Sequence, residues 1–262
     1  MDRIEKTKLY LVWLSCKDFE SLKDDRNRKL LEQVWKKIKN DMQFYFKGYS
    51  VSLQSIIAKF QIIKLTLDPR VPFGYDPQTH SLIYNLWKLF FTLPADESFC
   101  IPKPAWQMAG GLIHEHDHYT FLKEHEMIGK PEEAQKEFVK KFVFETEKRA
   151  FSSELGFYES CRSIMPSYQT YAVTVKKWTK EGRPIQKDIK PISLSKEDAL
   201  ASLDSAITQL KDVVKRIESG EDYEDFSADQ SIMDCEKMAQ CLSLQIKLDK
   251  KREDYPKIEI KM

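Results

Sequence analysis

Four of the five histidines in this 262-residue chain lie within twelve residues, between positions 114 and 125. The segment HEHDH at 114–118 contains the spacing H-E-x-x-H. Residues i and i+4 of a helix lie on one face, one turn apart. The imidazoles of His114 and His118 can therefore bind one zinc ion, and Glu115 can hold and deprotonate a water that the metal activates.

A catalytic zinc site also needs a third protein ligand and an open coordination position. His125 lies on the same helical face, but it follows His118 by seven residues, about 10 Å along a straight helix. No glycine between them breaks the helix and brings His125 back, so we expect a surface or supporting role for it. The third ligand is expected from a following helix.

Three glutamates on that second helix are candidates for the third ligand. At 100° per residue, Glu147 and Glu154 share one stripe with Tyr158, whereas Glu145 points nearly opposite. Glu154 is therefore the reserve candidate to Glu147. Tyr158 could stabilise an oxyanion, although packing in the core is the more frequent role of such an aromatic residue.

The candidate ligands depend on two helices and the strands that precede them. Hydrophobic spacing and breakers predict helices over about 105–127 and 131–163, and the short connection at 128–131 makes them antiparallel neighbours. Ala150, three residues after Glu147, would let the two helices cross closely. Two glycines at 110 and 111 would leave the first helix open on one side. Strands are predicted at 8–14, 56–67 and 82–86, the second of which a short helix could precede, and a helix is predicted at 24–46.

The order of these signals carries a family resemblance over about residues 55–160. A strand is followed by GYDPQTHSLIYN, then by the H-E-x-x-H helix, then by E-x-x-A-F-x-x-E-L from Glu147. This order resembles gluzincin-type zinc metallopeptidases and is most similar to the ImmA/IrrE-type group. The resemblance implies zinc bound by His114, His118 and Glu147, with Glu115 as general base in hydrolysis of a peptide or protein substrate.

The two residues inside the motif differ from those usual in such families. His116 is expected at the surface or behind the ligands. Asp117 could accept a hydrogen bond from the outer N–H of a ligand imidazole, or cap a neighbouring loop.

Other chemistries fit less of the pattern. The metallo-β-lactamase motif H-x-H-x-D-H is one residue longer, and its later histidines are missing. A ferritin-like di-iron site needs two E-x-x-H pairs, and only Glu115 with His118 forms one. A His/His/Glu site does not by itself distinguish zinc from iron. A second reading is a catalytically inactive zincin-fold binding or regulatory protein, with a structural metal or none.

Composition sets the remaining expectations. Lys and Arg number 42 against 41 Asp and Glu, so no bulk charge indicates nucleic acid or an anionic membrane. No apolar run is long enough to span a bilayer, and the five cysteines form no C-x-x-C pair. We expect a soluble cytoplasmic protein with free thiols.

The expected fold class is α+β: a zincin-like core at 1–180 with a short β-sheet and two long active-site helices. A linker follows at 181–193, where three breakers stand in a polar context. Residues 194–262 are expected to form a helical C-terminal extension that could bind a protein partner. Ser195 is its predicted N-cap, with Asp198 three residues on, and a last helix is predicted near 228–248.

Overall fold

The structure is a computed structural model, and it describes most of the middle of the chain. The described residues are 29, 36, 39–60, 62–66, 74–85, 90–92, 99–102, 104–178, 184–220 and 257–261. The strand predicted at 8–14, most of the helix predicted at 24–46 and the helix predicted near 228–248 lie outside them. Residues 39–45 of the predicted 24–46 helix are helical.

The first sheet has four strands in the order β2-β3-β1-β8. The strands are β1 (Ile62–Thr66), β2 (Gly74–Asp76), β3 (Ser81–Asn85) and β8 (Lys257–Lys261). β1 and β3 are parallel, and the other two pairs are antiparallel. The short strand β2 thus lies at an edge of this sheet, where it contacts the helix that carries the HEHDH segment.

A tight turn at 77–80 joins β2 to β3. The Asp76 carboxylate accepts a hydrogen bond of 3.0 Å from the backbone N–H of Gln78, an Asx-type contact that reverses the chain. His80 completes the turn in the left-handed region, at φ 48°. Its Nδ1 lies 3.0 Å from the Tyr75 hydroxyl, and this contact holds the strained residue in place.

The second sheet corrects the expectation at the predicted linker. Its strands are β4 (Phe90–Thr92), β5 (Phe99–Pro102), β6 (Tyr168–Trp178) and β7 (Pro184–Leu194), in that order. β7 pairs along β6, so residues 184–193 form a strand rather than an unpaired linker. Pro184 is the first residue of this edge strand, a position that tolerates proline. The domain boundaries themselves stay a prediction.

Besides the helical residues 39–45, the described part of the chain forms the helices α1 (Leu53–Ile57), α2 (Ala105–Glu124), α3 (Glu132–Lys141), α4 (Val143–Cys161) and α5 (Lys196–Glu218). α2 is the predicted H-E-x-x-H helix. α5 begins with the predicted capping box, in which Ser195 and Asp198 each bond the other's backbone. The C-terminal part is not wholly helical, because β8 pairs with β1.

The single helix predicted at 131–163 is wrong, because the chain breaks at Phe142 into α3 and α4. Phe142 has φ −113° and ψ 20°, outside the helical region. Neither proline nor glycine causes the break. The Phe142 ring instead contacts those of Phe138, Phe121 and His125, and this aromatic packing outweighs local helix propensity.

The crossing of α2 and α4 forms the centre of the core. Ala150 is fully buried at this crossing, as expected for a small residue between close helices. Trp106 of α2 and Phe157 of α4 are also fully buried, and burial of such side chains contributes about 1.5–3 kcal/mol each. The structure is of the α+β class. Within the described residues, no helix is long and apolar enough to cross a membrane.

Candidate metal centre

The two histidines of the motif lie side by side on α2. The ring centroids of His114 and His118 are 4.7 Å apart, and the ring planes are inclined at 76°. His114 is 9% exposed, and Glu115 beside it is 6% exposed. Ligating atoms of His114, Glu115 and His118 all lie within 4.8 Å of one another. Helical spacing thus places His114 and His118 on one face of α2, and Glu115 lies close enough for the polar atoms of all three to form one largely buried cluster.

Glu147 of α4 faces both imidazoles. Its Oε2 lies 3.4 Å from Nε2 of His114, and its Oε1 lies 3.6 Å from Nε2 of His118. Tetrahedral ligands at about 2.0–2.1 Å from a metal are about 3.3–3.4 Å apart. Each of these two separations is thus close to that of two ligands around one ion. Glu154, the reserve candidate, approaches only the other nitrogen of His114, at 3.4 Å.

The outer nitrogens of both histidines face polar groups. Nδ1 of His118 lies 3.0 Å from the Thr146 hydroxyl. When Nδ1 carries the proton and donates to Thr146, Nε2 of His118 presents its lone pair to the centre. Nδ1 of His114 is buried next to Glu154 but makes no hydrogen bond of good geometry. The ring of Phe151 packs against His114 at 4.5 Å and limits its rotation.

Glu115 is held by the edge strand. The backbone N–H of Tyr75 in β2 donates a hydrogen bond of 2.8 Å to Oε2 of Glu115. Burial raises the pKa of Glu115 to about 8, because the effects of His114 and the Tyr75 N–H, which lower it, do not offset desolvation and the nearby carboxylates. A cation bound beside Glu115 would lower this pKa and favour the ionised carboxylate that a general base requires.

The two imidazoles differ in charge. Burial and the neighbouring His114 lower the pKa of His118 to about 4, so His118 is neutral and can bind a metal directly. Burial alone would lower the pKa of His114 as well. The carboxylates of Glu147 and Glu154 outweigh that effect and raise it well above its usual value. A metal that binds His114 must therefore displace a proton.

The residues fit a divalent metal ion. Three carboxylates, from Glu115, Glu147 and Glu154, converge on two imidazoles in a site that is largely buried. Buried negative charges are costly unless cations neutralise them. Two imidazole nitrogens and a carboxylate form the donor set of catalytic zinc sites.

Asp117 points away from the ligands toward α4. Its Oδ2 lies 3.1 Å from Nε of Arg149, and Arg149 also forms a two-pronged contact with Glu124. Burial raises the pKa of Asp117, and the attraction of Arg149 only partly offsets this. Asp117 therefore ties α2 to α4 through Arg149, instead of accepting a hydrogen bond from a ligand imidazole.

Two other predicted residues have packing roles. His125 ends α2, and its ring lies among Phe121, Phe138 and Phe142, away from the centre. Tyr158 is 2% exposed, and its hydroxyl donates a hydrogen bond of 2.6 Å to Oε1 of Glu154.

The expectation of an open helix face at the glycines is wrong at Gly110. A Cβ added there would lie 2.7 Å from Cζ and 2.8 Å from the hydroxyl oxygen of Tyr158. Gly110 thus admits the Tyr158 ring where a cleft had been expected.

The cleft lies on the other side of the histidines, between β2, α3 and α5, and its volume is about 1060 Å³. Gln135 joins two of its walls, because it accepts a hydrogen bond of 2.6 Å from Gln78 and donates to the backbone carbonyl of Met127 at 2.9 Å.

Three residues that support the centre or its cleft were not predicted from the sequence: Tyr75, Thr146 and Gln135. Of these three, only Thr146 lies next to a predicted ligand, Glu147, so that inspection of the residues beside the candidate ligands could have found it.

Comparison of the chain with protein-family models, with curated proteins and with solved structures gives no match. The geometry and charge of the centre are therefore the observations from which a function can be inferred.

Proposed function

We propose that the protein is a zinc-dependent hydrolase of peptide bonds. One observation carries the proposal: Nε2 of His114 and Nε2 of His118 both face the Glu147 carboxylate at ligand-like separations, with Glu115 beside them. This arrangement supplies three zinc ligands and a carboxylate base on the wall of an accessible cleft.

When bound, the zinc ion acts as a Lewis acid that polarises the scissile carbonyl and makes a water nucleophilic near neutral pH. Glu115 accepts the proton of the attacking water at its carboxylate and passes it to the leaving amine nitrogen. The Tyr75 N–H fixes the orientation of the carboxylate by binding Oε2. Thr146 bonds the outer nitrogen of His118, and the Glu154 carboxylate faces the outer nitrogen of His114 at 3.4 Å, so that both imidazoles keep their inner nitrogens toward the metal.

The first test is elemental mass spectrometry on purified protein. We expect about one zinc per wild-type chain, little in His118→Ala or Glu147→Gln, and partial loss in Glu154→Gln, whose carboxylate approaches only the outer nitrogen of His114. Glu145→Gln is the matched control on the same helix, because Glu145 is exposed and should leave the zinc content unchanged. Absence of zinc from wild-type protein incubated with zinc would contradict the proposal.

Hydrolysis is tested separately with a quenched fluorescent peptide library. Glu115→Gln should keep its zinc and lose at least about 100-fold in kcat/KM, because only proton transfer is removed. A Glu115→Gln protein that cleaves as fast as wild type would overturn the assigned role of Glu115.

A structural metal site in a catalytically inactive binding protein is the second candidate. The observation in its favour is that Glu115 groups with His114 and His118 within 4.8 Å, so that Glu115 and Glu147 together would close a four-ligand site. The same variant separates the two functions. Glu115→Gln would then weaken zinc binding strongly and lower the midpoint of thermal unfolding, whereas the hydrolase keeps its metal.

A further inference from the structure

The antiparallel packing of α2 against α4 places an apolar pair next to the metal centre. As the residue number rises along α2, the number of the residue that it contacts falls along α4. The contacts pair Gly110 with Tyr158, His114 with Phe151, and His118 with Glu147. The next turn in this series brings Leu122 of α2 level with Val143 of α4, and both side chains line the cleft.

Apolar side chains also lie on both sides of Glu147 along its own helix. Val143, Glu147 and Phe151 are spaced by four residues, so they share one face of α4, and all three line the cleft. The Phe151 ring lies beside His114, with ring centroids 4.5 Å apart. Val143 lies one turn from Glu147 in the opposite direction, about 6 Å along the helix. The metal centre is thus between two apolar parts of the cleft.

The first of these parts, here called the first flank, consists of Leu122, Val139 and Val143. Val139 lies on α3, one turn before Val143 across the break at Phe142, and it also lines the cleft. Its side chain is 37% exposed, one of two large apolar side chains that the described residues expose to solvent. An apolar side chain from a ligand would cover Val139 and remove that surface from water.

The second flank consists of Phe151 and Val213 of α5, which both line the cleft. α5 runs antiparallel to α4, because two ion pairs at the surface join the helices in opposite order. They are Lys148 with Glu218 at 2.9 Å and Glu159 with Lys211 at 3.0 Å. Val213 lies between these two pairs along α5 and is therefore on the Phe151 side of Glu147.

We propose that the cleft selects peptides that carry large apolar side chains on both sides of the bond to be cleaved. The proposal rests on the hydrolysis proposed above and names its substrate class. Val143 and Phe151 are about 12 Å apart along α4, a length that an extended peptide spans with about four residues. A bond held at the metal centre therefore has one flank on either side. Burial of apolar surface at both flanks supplies the binding free energy.

The test measures binding without catalysis, by fluorescence anisotropy on Glu115→Gln protein with excess zinc. The probes are four capped peptides of one sequence that differ at two positions about four residues apart. These positions hold Leu and Leu, Leu and Asn, Asn and Leu, or Asn and Asn. Each Leu in place of Asn should tighten binding about tenfold. A rise in sodium chloride concentration should leave this preference intact, because neither flank contains a charged side chain.

Polar substitutions in the protein assign each flank to one position of the peptide. Val143→Thr should reduce the preference for Leu at one of the two positions several-fold, and Val213→Thr should do so at the other. Val214→Thr is the matched control, because it makes the same change on α5 at a residue that does not line the cleft. All three variants should keep the wild-type zinc content, because none of them removes a candidate ligand.

Three results would overturn the inference: equal binding of the peptides with two Leu and two Asn, loss of preference at the same position in both test variants, or an equal loss in Val214→Thr. Cleavage by the wild-type protein is scored separately, by mass spectrometry on the same probes. Cleavage at equal rates for all four probes would refute the inference and leave the proposed function standing. Selective binding without cleavage would refute hydrolysis and leave the cleft as a binding site for apolar peptides.

Discussion

Replacement of Gly110 by alanine tests how closely the two helices of the centre are packed. The added Cβ would lie 2.7 Å from Cζ and 2.8 Å from the hydroxyl oxygen of Tyr158, against about 3.4 Å for an ordinary contact. Cε1 of the same ring would lie closer still, so the ring must move by more than about 0.7 Å. It is buried, edge-on to Trp106 at 5.1 Å, and bonded to Glu154 at 2.6 Å.

The expected cost follows from these contacts. Overpacking of a core costs about 1–3 kcal/mol, and loss of a hydrogen bond to a charged group adds about 1.5–3 kcal/mol. The better helix propensity of alanine offsets about 0.5–1 kcal/mol. We therefore expect Gly110→Ala to lower the free energy of unfolding by about 2–5 kcal/mol. Zinc affinity should fall as well, because Glu154 supports His114.

The matched control is Gly156→Ala on α4, where an added Cβ meets nothing within 4 Å. The same substitution should there stabilise the protein by about 0.5–1 kcal/mol. The assay is urea unfolding of each variant with and without zinc. In a Tyr158→Ala background, Gly110→Ala should cost much less, because the clash is gone. Equal unfolding free energies for Gly110→Ala and wild type would refute the close packing of α2 against α4.

Three further predictions concern single contacts. Thr146→Val should weaken zinc binding about tenfold in a chelator competition, because His118 loses the partner of its Nδ1; unchanged affinity would contradict the assigned orientation. The Cys161 thiol should resist iodoacetamide at pH 8.5 in folded protein and react in urea, because burial raises its pKa to about 12; rapid labelling, read by mass spectrometry, would contradict its burial. Burial of Asp76 alone would raise its pKa, but hydrogen bonds from Lys64 and Thr79 hold it below its usual value of 3.8. This carboxylate therefore stabilises the fold above that pH and loses the effect as pH falls further. Asp76→Asn should accordingly unfold more easily than wild type at pH 6, and the difference should shrink as pH falls below 3.8; a difference independent of pH would contradict the linkage.

The sequence was sufficient where a signal is local. The spacing of His114 and His118, the capping box at Ser195 and strand β3 all follow from residues that are close in the sequence. The strand predicted at 56–67 is confirmed only in its second half, because residues 56–57 end helix α1 and β1 begins at Ile62. The expectation that Glu147 rather than Glu145 faces the histidines also follows from helical periodicity. Each of these features depends on residues that are close in the sequence, so that residue types and their spacing are enough to predict it.

Features that depend on distant partners could not be read in this way. The break at Phe142 results from an aromatic cluster that draws Phe121 and His125 from another helix. Strand β7 contains two prolines and polar residues that are typical of a linker, and it becomes a strand because β6 pairs with it. The N–H that holds Glu115 comes from Tyr75, forty residues earlier, and any residue except proline could supply it.

Glu147 and Glu154 of α4 have different roles at the centre, and these roles follow from the seven residues that separate them. Two helical turns bring Glu147 and Glu154 to the same face, so that His114 lies between them with one nitrogen toward each. A metal at Nε2 of His114 would displace the proton shared with Glu147 and leave Glu154 to hold Nδ1. Removal of Glu154 should therefore loosen the imidazole without removing a ligand. A zinc affinity reduced in Glu154→Gln, against zinc lost in Glu147→Gln, would distinguish support from ligation.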